Sequence, residues 1–461
     1  MRPLLSQGQW RPLLRALPPR GSPRQSRRNL LTLAIETSCD DTCVAILSKD
    51  APSGRATLHY NEKSTSDSRA YGGVYPPVAL RGHDAALAPL VAESLSSLPP
   101  AAAKTKPSKT ITVAGVARQK PDFVTVTRGP GMAANLAAGL STAKGLATAW
   151  QVPLLGVNHM QAHALTPRLV SALDGDRAGA GKDHPEFPFM TLLVSGGHTQ
   201  LVHSSSLTDH RILVASNNIA VGDALDKAAR HILPADVIAS AQNVMFGALL
   251  ERFAFPGAFA SDAPENYDYE YSPPVRRGDE ITAYIPPEPY TWTLTPPLAL
   301  SRTLAYDFNG LGSEVRKVAK NKGVAMSTEE SRVLARATMQ LLFEHLASRM
   351  FLAIEAEPEI KSTFKTLVVS GGVASNRFLM HILRKILDVR GFDHVEITAP
   401  PPALCTDNAA MIAWTGMEMY EAGWESELSV SPHKKWSVDP AGEEGGILGV
   451  GGWVKRSKRQ S

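Results

Sequence analysis

Two histidines four residues apart carry the strongest chemical signal in the sequence. His159 and His163 lie in the segment Gly156-Val-Asn-His-Met-Gln-Ala-His, and on an α-helix residues at i and i+4 share one face. Because neutral imidazole is a common ligand of zinc and iron, the pair could hold one metal ion. Met160 stands where a zinc metalloprotease would need its glutamate base, so the pattern disfavours that class of enzyme.

Two imidazoles leave a metal site incomplete, and Asp407 is a candidate for the third ligand. It lies in Ala403-Leu-Cys-Thr-Asp-Asn, just before a helix-like run. The competing interpretation is structural, since Asp at such a position is a typical N-cap whose carboxylate accepts a backbone N–H. Spacing alone favours the cap, and metal binding gains support only from the combination with the two histidines.

Two glycine pairs follow apolar, strand-like runs, in Leu193-Val-Ser-Gly-Gly and in Val368-Val-Ser-Gly-Gly. Glycines after a strand let backbone N–H groups approach phosphate oxygens, because no Cβ stands in the way. Neither segment has the Walker or the dinucleotide-binding pattern, so those two classes are excluded. The pairs are either ordinary turns or parts of a nucleotide site between two halves of a duplicated fold. Asp226 could accept hydrogen bonds from ribose hydroxyls or lie on a solvated helix face.

Short apolar runs alternate with stretches rich in Ala and Leu along the body of the chain, which predicts α/β architecture. The 461 residues are enough for two or three domains of roughly 100 to 200 residues each. The predicted strands lie near 31–38, 44–47, 123–127, 190–194, 200–203, 366–369 and 395–398. The predicted helices include 133–150, 221–232, 327–354 and 408–421.

The charge of the chain is unevenly distributed. Residues 1–28 contain seven Arg and no acidic residue, which is the composition of a mitochondrial transit peptide, with a disordered basic tail as the alternative. Four more basic residues lie between 455 and 459, so the formal charge of +4 becomes −7 for residues 29–454. Nucleic-acid binding would therefore need a local basic patch. No apolar run reaches the roughly 20 residues that span a bilayer, and the three Cys form no CxxC pair.

Seven segments, in order, resemble the tRNA N6-adenosine threonylcarbamoyltransferase family. The resemblance runs from about Leu31 to Trp436, and the Arg-rich leader makes the mitochondrial members the best fit. The segments are Ile35-Glu-Thr-Ser-Cys-Asp-Asp-Thr, Gly72-Gly-Val, Gly129-Pro-Gly, the His159/His163 segment, Val194-Ser-Gly-Gly-His-Thr-Gln, Gly371-Gly-Val-Ala-Ser-Asn and Cys405-Thr-Asp-Asn-Ala-Ala-Met.

The resemblance implies a duplicated actin-like ATPase fold (ASKHA, ribonuclease H-like) with two lobes and an interlobe cleft. The expected lobes are residues 29–165 and 166–436, the second with a Pro-rich surface insertion at about 255–300. Residues 1–28 would be the transit peptide and residues 437–461 a loose tail.

The implied reaction transfers a threonylcarbamoyl group from threonylcarbamoyl-AMP to N6 of adenosine 37, 3′ to the anticodon. Its substrates would be mitochondrial tRNAs that read codons beginning with A. An ASKHA-fold small-molecule kinase or a nucleotide-binding module is the alternative, and such kinases rarely need a His-His-Asp metal site.

The resemblance also assigns residues and partners. His159, His163 and Asp407 would hold one divalent iron or zinc ion per subunit. The expected partners are the tRNA anticodon stem-loop, a separate upstream synthase that supplies threonylcarbamoyl-AMP, and a second copy in a homodimer, with no membrane, in the mitochondrial matrix. The residues expected to bind the adenylate are Leu193, Val194, Ser195, Gly196, Gly197, Asp226, Gly247 and Asn376.

Overall fold

The computed structural model describes residues 29–71, 73–103, 105–174, 184–241, 246–258, 267–274, 282–323 and 326–456. The predicted transit peptide, residues 1–28, and Gly72 of the second family segment lie outside the described residues. Within these ranges, no helix combines the length and the apolar character needed to cross a membrane.

Strands and helices alternate along the chain, so the predicted α/β architecture is confirmed. The strands are β1 (Leu30–Glu36), β2 (Asp41–Lys49), β3 (Ala56–Thr65), β4 (Thr110–Val113), β5 (Val116–Gln119), β6 (Phe123–Gly129), β7 (Leu154–Asn158), β8 (Phe189–Val194), β9 (Thr199–Ser206), β10 (Asp209–Ser216), β11 (Ala305–Tyr306), β12 (Thr366–Ser370), β13 (Glu396–Thr398), β14 (Trp424–Ser426) and β15 (Trp453–Lys455). The helices are α1 (Pro76–Leu95), α2 (Ala133–Trp150), α3 (His159–Asp174), α4 (Val221–Ile232), α5 (Ala235–Ala239), α6 (Gly247–Ala254), α7 (Asn309–Lys322), α8 (Thr328–Ala356), α9 (Pro358–Thr363), α10 (Arg377–Val389), α11 (Pro402–Cys405) and α12 (Ala409–Glu421).

The first sheet has the strand order β15-β14-β7-β6-β1-β2-β3. Strands β1, β2 and β3 are antiparallel neighbours, whereas β6 and β7 extend the sheet from β1 in parallel. Strands β1, β6 and β7 are buried almost along their whole length. Apolar residues lie on both faces of these strands, which fits this burial, because a strand covered on both faces needs no alternation of apolar and polar residues.

The second sheet repeats this plan, in the order β11-β10-β9-β8-β12-β13. Strands β8, β9 and β10 are antiparallel, and β12 and β13 extend the sheet from β8 in parallel. Five strands of each sheet therefore share one order and one set of directions, which fits the predicted duplication.

The two Ser-Gly-Gly segments do not occupy equivalent positions in the two sheets. Both lie in the second sheet, at the ends of the neighbouring parallel strands β8 and β12. Their similar sequences therefore do not mark equivalent points of the two sheets. The turn that follows β8 corresponds by strand order to the turn after Glu36 at the end of β1.

The helices form three layers around the two sheets. Helices α1 and α2 cover the outer face of the first sheet, where Leu33 and Ile35 are buried. Helices α3 and α12 lie between the sheets, in a core that contains Leu155 of the first sheet and Leu193 of the second. Helices α4, α6, α8 and α10 pack around the outer core of the second sheet. The element that carries both histidines thus lies where the two sheets meet.

Helix α12 is almost completely buried, with Trp414 at 0% exposure. It lies so close to β6 that a Cβ on Gly416 would come within 2.3 Å of the Thr125 Oγ1 atom. Glycine permits this approach because it has no side chain. The packing of α12 thereby fixes the loop before it, which carries Asp407, against the first sheet.

The structure corrects the predicted loose tail at 437–461 for the residues up to 456. Strand β14 pairs with β7 and with β15, which makes both part of the first sheet. Ile447 is fully buried, and the indole N–H groups of Trp436 and Trp453 donate to the carbonyls of Gly446 and Ile447. The Gly-rich composition indicated a loose segment, but these buried apolar side chains hold it in place.

The lobe boundaries need the same correction. The predicted second lobe, residues 166–436, includes α12 and β14, yet both pack on the first sheet. The chain returns to its starting sheet because the apolar surface of α12 covers the inner face of β1, β2, β6 and β7.

The Pro-rich segment at about 255–300 is more than a surface insertion. In its described parts, Tyr267, Tyr269, Trp292 and Leu294 are buried in the core around the second sheet. Tyr284 and Leu294 also form an isolated antiparallel bridge. Prolines interrupt regular structure in this segment, whereas its large side chains contribute core area that the composition did not reveal.

Replacement of Ile447 by Ala tests the packing of the C-terminal segment. Because Ile447 is fully buried among residues of the first sheet and α12, we expect the free energy of unfolding to fall by about 2 to 4 kcal/mol. The neighbouring Leu448 is 37% exposed, so Leu448→Ala should change the free energy of unfolding by less than about 0.5 kcal/mol. Urea unfolding followed by tryptophan fluorescence measures both. Equal, small effects would mean that the segment is loose in solution.

Candidate functional site

The two histidines are positioned by an abrupt strand-to-helix junction. Strand β7 ends at Asn158, and α3 begins at the next residue, His159. The Asn158 side-chain oxygen accepts the backbone N–H groups of Met160 and Gln161 at 2.9 and 3.1 Å, which caps the new helix. His159 and His163 therefore occupy the first turns of α3, and both are more than 90% buried.

The structure brings the three predicted metal ligands together. The Nε2 atoms of His159 and His163 lie 3.4 and 3.2 Å from the same carboxylate oxygen, Oδ1 of Asp407. One potential ligand atom from each residue falls within 4.8 Å of the others, and the imidazole rings meet edge to face. Asp407 is more than 240 positions from both histidines in the chain, so its convergence with them is a property of the fold.

Asp407 is free for this role because its neighbour caps the helix. The Asn408 side-chain oxygen accepts the backbone N–H of Met411 at 3.0 Å, as the N-cap of α12. The competing interpretation of Asp407 as the cap was therefore wrong. Its carboxylate points to the imidazoles instead, with 26% of the side chain exposed.

The cluster is electrostatically coupled. Burial alone would raise the pKa of Asp407, but the charge of His159 and hydrogen bonds from both histidines hold it well below its usual value. Burial would lower the pKa of His159, but the charges of Glu36 and Asp407 raise it well above its usual value. The carboxylate is thus ionised at neutral pH and the two imidazole nitrogens are held at its surface.

The donor set fits a divalent metal ion. Two imidazole nitrogens and one carboxylate oxygen facing one point form a set that suits zinc and iron alike. A cation bound there would take the place of the protons now shared between Nε2 and Oδ1 atoms, because ligating histidines are neutral. His163 Nδ1 is buried and has no hydrogen-bond partner among the described residues.

The eight residues expected to bind adenylate lie around one end of the second sheet. Leu193 and Val194 end β8, and Ser195, Gly196 and Gly197 form the turn that follows. That turn is closed by Ser195, whose N–H donates to the His198 carbonyl at 2.9 Å and whose Oγ accepts the His198 N–H at 3.0 Å. A Cβ on Gly196 or Gly197 would meet nothing within 4 Å, so open space adjoins the turn.

The second glycine pair packs against the residues that precede the first pair. Gly371 has φ of +99°, and a Cβ there would lie 2.4 Å from the Val194 carbonyl oxygen. The conformation and the contact both require glycine. The two turns are therefore adjacent because their strands are parallel neighbours.

The remaining three candidates have defined structural partners. Asp226 on α4 accepts the backbone N–H of Gly247, the first residue of α6, at 2.8 Å, and burial raises the pKa of Asp226 to about 6. Asn376 is the N-cap of α10 and accepts the Leu379 N–H at 3.0 Å. Asp226 and Gly247 thus lie side by side, whereas the Asn376 oxygen already accepts a hydrogen bond.

A buried hydrogen bond ties the metal-ligand cluster to the second sheet. Ser370, the last residue of β12, donates from Oγ to the His163 carbonyl at 2.9 Å. Thr406, next to Asp407, lies beside the Gly372 turn, with its Cγ2 3.8 Å from a Cβ built there. The histidine cluster and the glycine turns are therefore adjacent.

Two further residues near the metal-ligand cluster had no role in the sequence analysis. Glu36 is fully buried and its Oε2 lies 3.1 Å from Nδ1 of His159. Desolvation, together with the charges of His159 and His163, lowers the pKa of His198 to about 4, so this imidazole is neutral at pH 7. The signal for Glu36 was an acidic residue at the end of an otherwise apolar strand.

Asp407→Asn tests the metal site. The amide keeps the volume of the carboxylate but loses its charge, so we expect Zn²⁺ affinity to fall by more than about 100-fold. Loss of a group that only hydrogen-bonds a metal ligand costs about 10- to 100-fold, and loss of a ligand should cost more. Chelator competition on the metal-stripped protein measures the affinity. Asp223→Asn, a change of the same kind on the half-exposed Asp223 of α4, should leave it unchanged. Equal affinities in all three proteins would exclude Asp407 as a ligand.

Comparison with known proteins identifies the family of the chain. Residues 58–414 match the family model for tRNA N6-adenosine threonylcarbamoyltransferase, TsaD. The mitochondrial enzyme of that name from Schizosaccharomyces pombe is 34% identical over 449 residues, which cover 94% of this chain and 92% of the relative. The enzymes from Sinorhizobium medicae and Sphingopyxis alaskensis are each 32% identical, over 91% and 90% of this chain and 98% and 97% of their own. The chain belongs to the tRNA N6-adenosine threonylcarbamoyltransferase family, a family of transferases.

Proposed function

We propose that the protein transfers the threonylcarbamoyl group of threonylcarbamoyl-AMP to N6 of adenosine 37 in mitochondrial tRNAs that read codons beginning with A. The observation that carries this proposal is the convergence of His159, His163 and Asp407 beside the paired glycine turns, in a chain of this family. The exocyclic amine of adenine is a weak nucleophile, because its lone pair is delocalised into the ring. The reaction therefore needs an activated carbonyl and strict positioning.

The proposed transfer is balanced within its two substrates. N6 forms a bond to the carbamoyl carbon, and the C–O bond of the mixed anhydride breaks. AMP leaves with the electron pair of that bond, and N6 gives up one proton to solvent. A metal ion held by the two imidazoles and the carboxylate would polarise the carbonyl and offset the charge of the phosphate.

The chain's own groups would bind and orient the adenylate. The space beside Gly196 and Gly197 can accept phosphate oxygens close to the backbone. The N-terminus of α4 abuts this turn, since the Gly222 N–H donates to the Ser195 carbonyl at 3.2 Å, and a helix N-terminus favours negative charge. Asp226, with Gly247, would accept from the ribose hydroxyls, and Leu193, Val194 and Asn376 would support the same pocket.

The proposal places the substrates in a cleft between two lobes of a duplicated ASKHA fold. The repeated strand order of the two sheets and the position of α3 between them support this arrangement.

We further propose a mitochondrial matrix location and a homodimer. The location is supported by the Arg-rich residues 1–28 and by the mitochondrial relative. A separate synthase would supply threonylcarbamoyl-AMP, because the mixed anhydride has to be formed from an activated nucleotide before this transfer.

A reconstituted reaction tests the transferase function. Purified protein, threonylcarbamoyl-AMP and an anticodon stem-loop with adenosine 37 should give threonylcarbamoyladenosine, measured by nucleoside mass spectrometry. His163→Ala should lower the rate by at least about 100-fold, because it removes a ligand of the ion that activates the carbonyl. His394→Ala alters an exposed histidine and should retain the rate. Product formation by His163→Ala at the wild-type rate, or ATP-dependent phosphorylation of a small molecule instead, would refute the proposal.

The tRNA must be bound by a local basic surface, since residues 29–454 carry a net charge of −7. Lys434 and Lys435 are exposed and lie on a segment held to the site-forming edge of the first sheet. The Gly131 N–H donates to the Lys434 carbonyl at 3.3 Å, and the Asn158 side chain donates to the Trp436 carbonyl at 3.0 Å. Asn158 immediately precedes His159, so these lysines are candidates for contacts with RNA phosphates.

Lys434→Gln with Lys435→Gln tests this surface. Each lost phosphate contact should reduce the slope of log affinity against log salt by about 0.7 to 0.9. Fluorescence anisotropy with a labelled stem-loop at several salt concentrations measures the slope. Lys361→Gln with Lys365→Gln is the matched control, because these exposed lysines lie at the opposite end of β12. An equal slope in both double variants would place the RNA elsewhere.

A further inference from the structure

Glu36 is a fully buried carboxylate in contact with a proposed metal ligand. It is the last residue of β1, at the edge where the parallel strands β1, β6 and β7 end. Side chains alternate along a strand, and Ala34 lies in the core between the sheets whereas Ile35 lies in the opposite core. Glu36 therefore points to the inner face, where α3 begins.

Three donors converge on this carboxylate. Oε1 accepts the backbone N–H of Ser38, and Oε2 accepts the hydroxyl of Thr127. Oε2 also lies 3.1 Å from Nδ1 of His159. Burial of a carboxylate is costly unless the group is paired and hydrogen-bonded. Ser38 and Thr127 supply hydrogen bonds, and His159 supplies the paired group.

The direction of the contact determines which nitrogen of His159 is available. Neutral imidazole carries one proton, and a carboxylate can only accept a hydrogen bond. Once a metal ion has displaced the proton of Nε2, the one remaining proton must lie on Nδ1, and the lone pair on Nε2, the nitrogen that faces Asp407 at 3.4 Å, is available to the ion. A carboxylate behind a ligating histidine sets the ring orientation in the same way and raises the basicity of the ligand.

We infer that Glu36 is a positioning residue, which holds His159 with its proton on Nδ1 so that Nε2 binds the metal ion. This inference rests on the proposed metal site. The contact with Glu36 distinguishes His159 from His163, because His163 Nδ1 has no such partner among the described residues. His159 is thus the ligand whose ring orientation is set by a buried carboxylate, whereas Nδ1 of His163 accepts or donates no hydrogen bond within the described part of the chain.

Glu36→Gln is the direct test. The amide oxygen can still accept the Ser38 N–H, but the NH₂ group then faces the Nδ1–H of His159. The imidazole avoids this clash by moving its proton to Nε2, which can no longer bind metal. We expect Zn²⁺ affinity of the metal-stripped protein to fall by about 10- to 100-fold, measured by chelator competition.

Two variants distinguish positioning from a general effect of altering buried polar groups. Glu251→Gln is the matched control, since Glu251 is 4% exposed on α6 and accepts the Phe378 N–H at 3.0 Å. It should leave Zn²⁺ affinity unchanged. Ser38→Ala removes the other neighbour of Nδ1, an Oγ at 3.3 Å, and keeps the Ser38 N–H. It should change affinity by less than about threefold if Glu36 is the partner.

The outcomes separate this inference from the proposed site. A loss of Zn²⁺ affinity in Glu36→Gln, but not in Glu251→Gln or Ser38→Ala, supports the inference. Wild-type Zn²⁺ affinity in Glu36→Gln overturns the inference and leaves the proposed metal site intact. A wild-type protein that binds no Zn²⁺ would overturn both. If Glu36→Gln does not fold, ¹⁵N spectra of histidine-labelled, Zn²⁺-loaded wild-type protein decide the question. We expect His159 to carry its proton on Nδ1 and the metal on Nε2, and the reverse assignment would refute the inference.

Discussion

The contact of two imidazoles with the single carboxylate of Asp407 is the constraint on which this site depends. It joins α3, about one third of the way along the chain, to the loop before α12, near its end. Such a cluster is stable only where charges are paired, because removing charged groups from water costs several kcal/mol per ion. The layers of the fold meet this condition: α3 and α12 are buried side by side between the two sheets, and Asn408 rather than Asp407 caps α12.

The edge formed by the ends of parallel strands determines where the chemistry is located. In the first sheet, β1, β6 and β7 bring Glu36, Thr127 and His159 to one point. In the second sheet, β8 and β12 end side by side in glycine turns, and Gly371 can contact the Val194 carbonyl only because it has no Cβ. Ser370 links the two edges through its hydrogen bond to the His163 carbonyl. The candidate metal ligands and the open space beside Gly196 and Gly197 are thereby adjacent.

The sequence predicted the local features well, because they depend on local physics. Helices α2 and α4 have the predicted limits, since their apolar residues recur at helical spacing and the residues that follow them do not continue this pattern. The same reasoning failed for residues 437–456 and for the Pro-rich segment, where Gly and Pro indicated irregular backbone. Irregular backbone is not the same as exposure: Ile447 and Trp292 are buried, and burial depends on what lies opposite in the fold.

The sequence by itself determined the paired histidines, the alternation of strands and helices, and membership of the family, because each is written in spacing or in ordered motifs. Only the tertiary structure decided that Asp407 faces the histidines while Asn408 caps the helix, since both residues satisfy the same local pattern. It also decided that Glu36, one acidic residue at the end of an apolar strand, lies behind His159. Partners that are more than 100 residues apart are chosen by the packing of sheets and helices, and no local pattern carries that information.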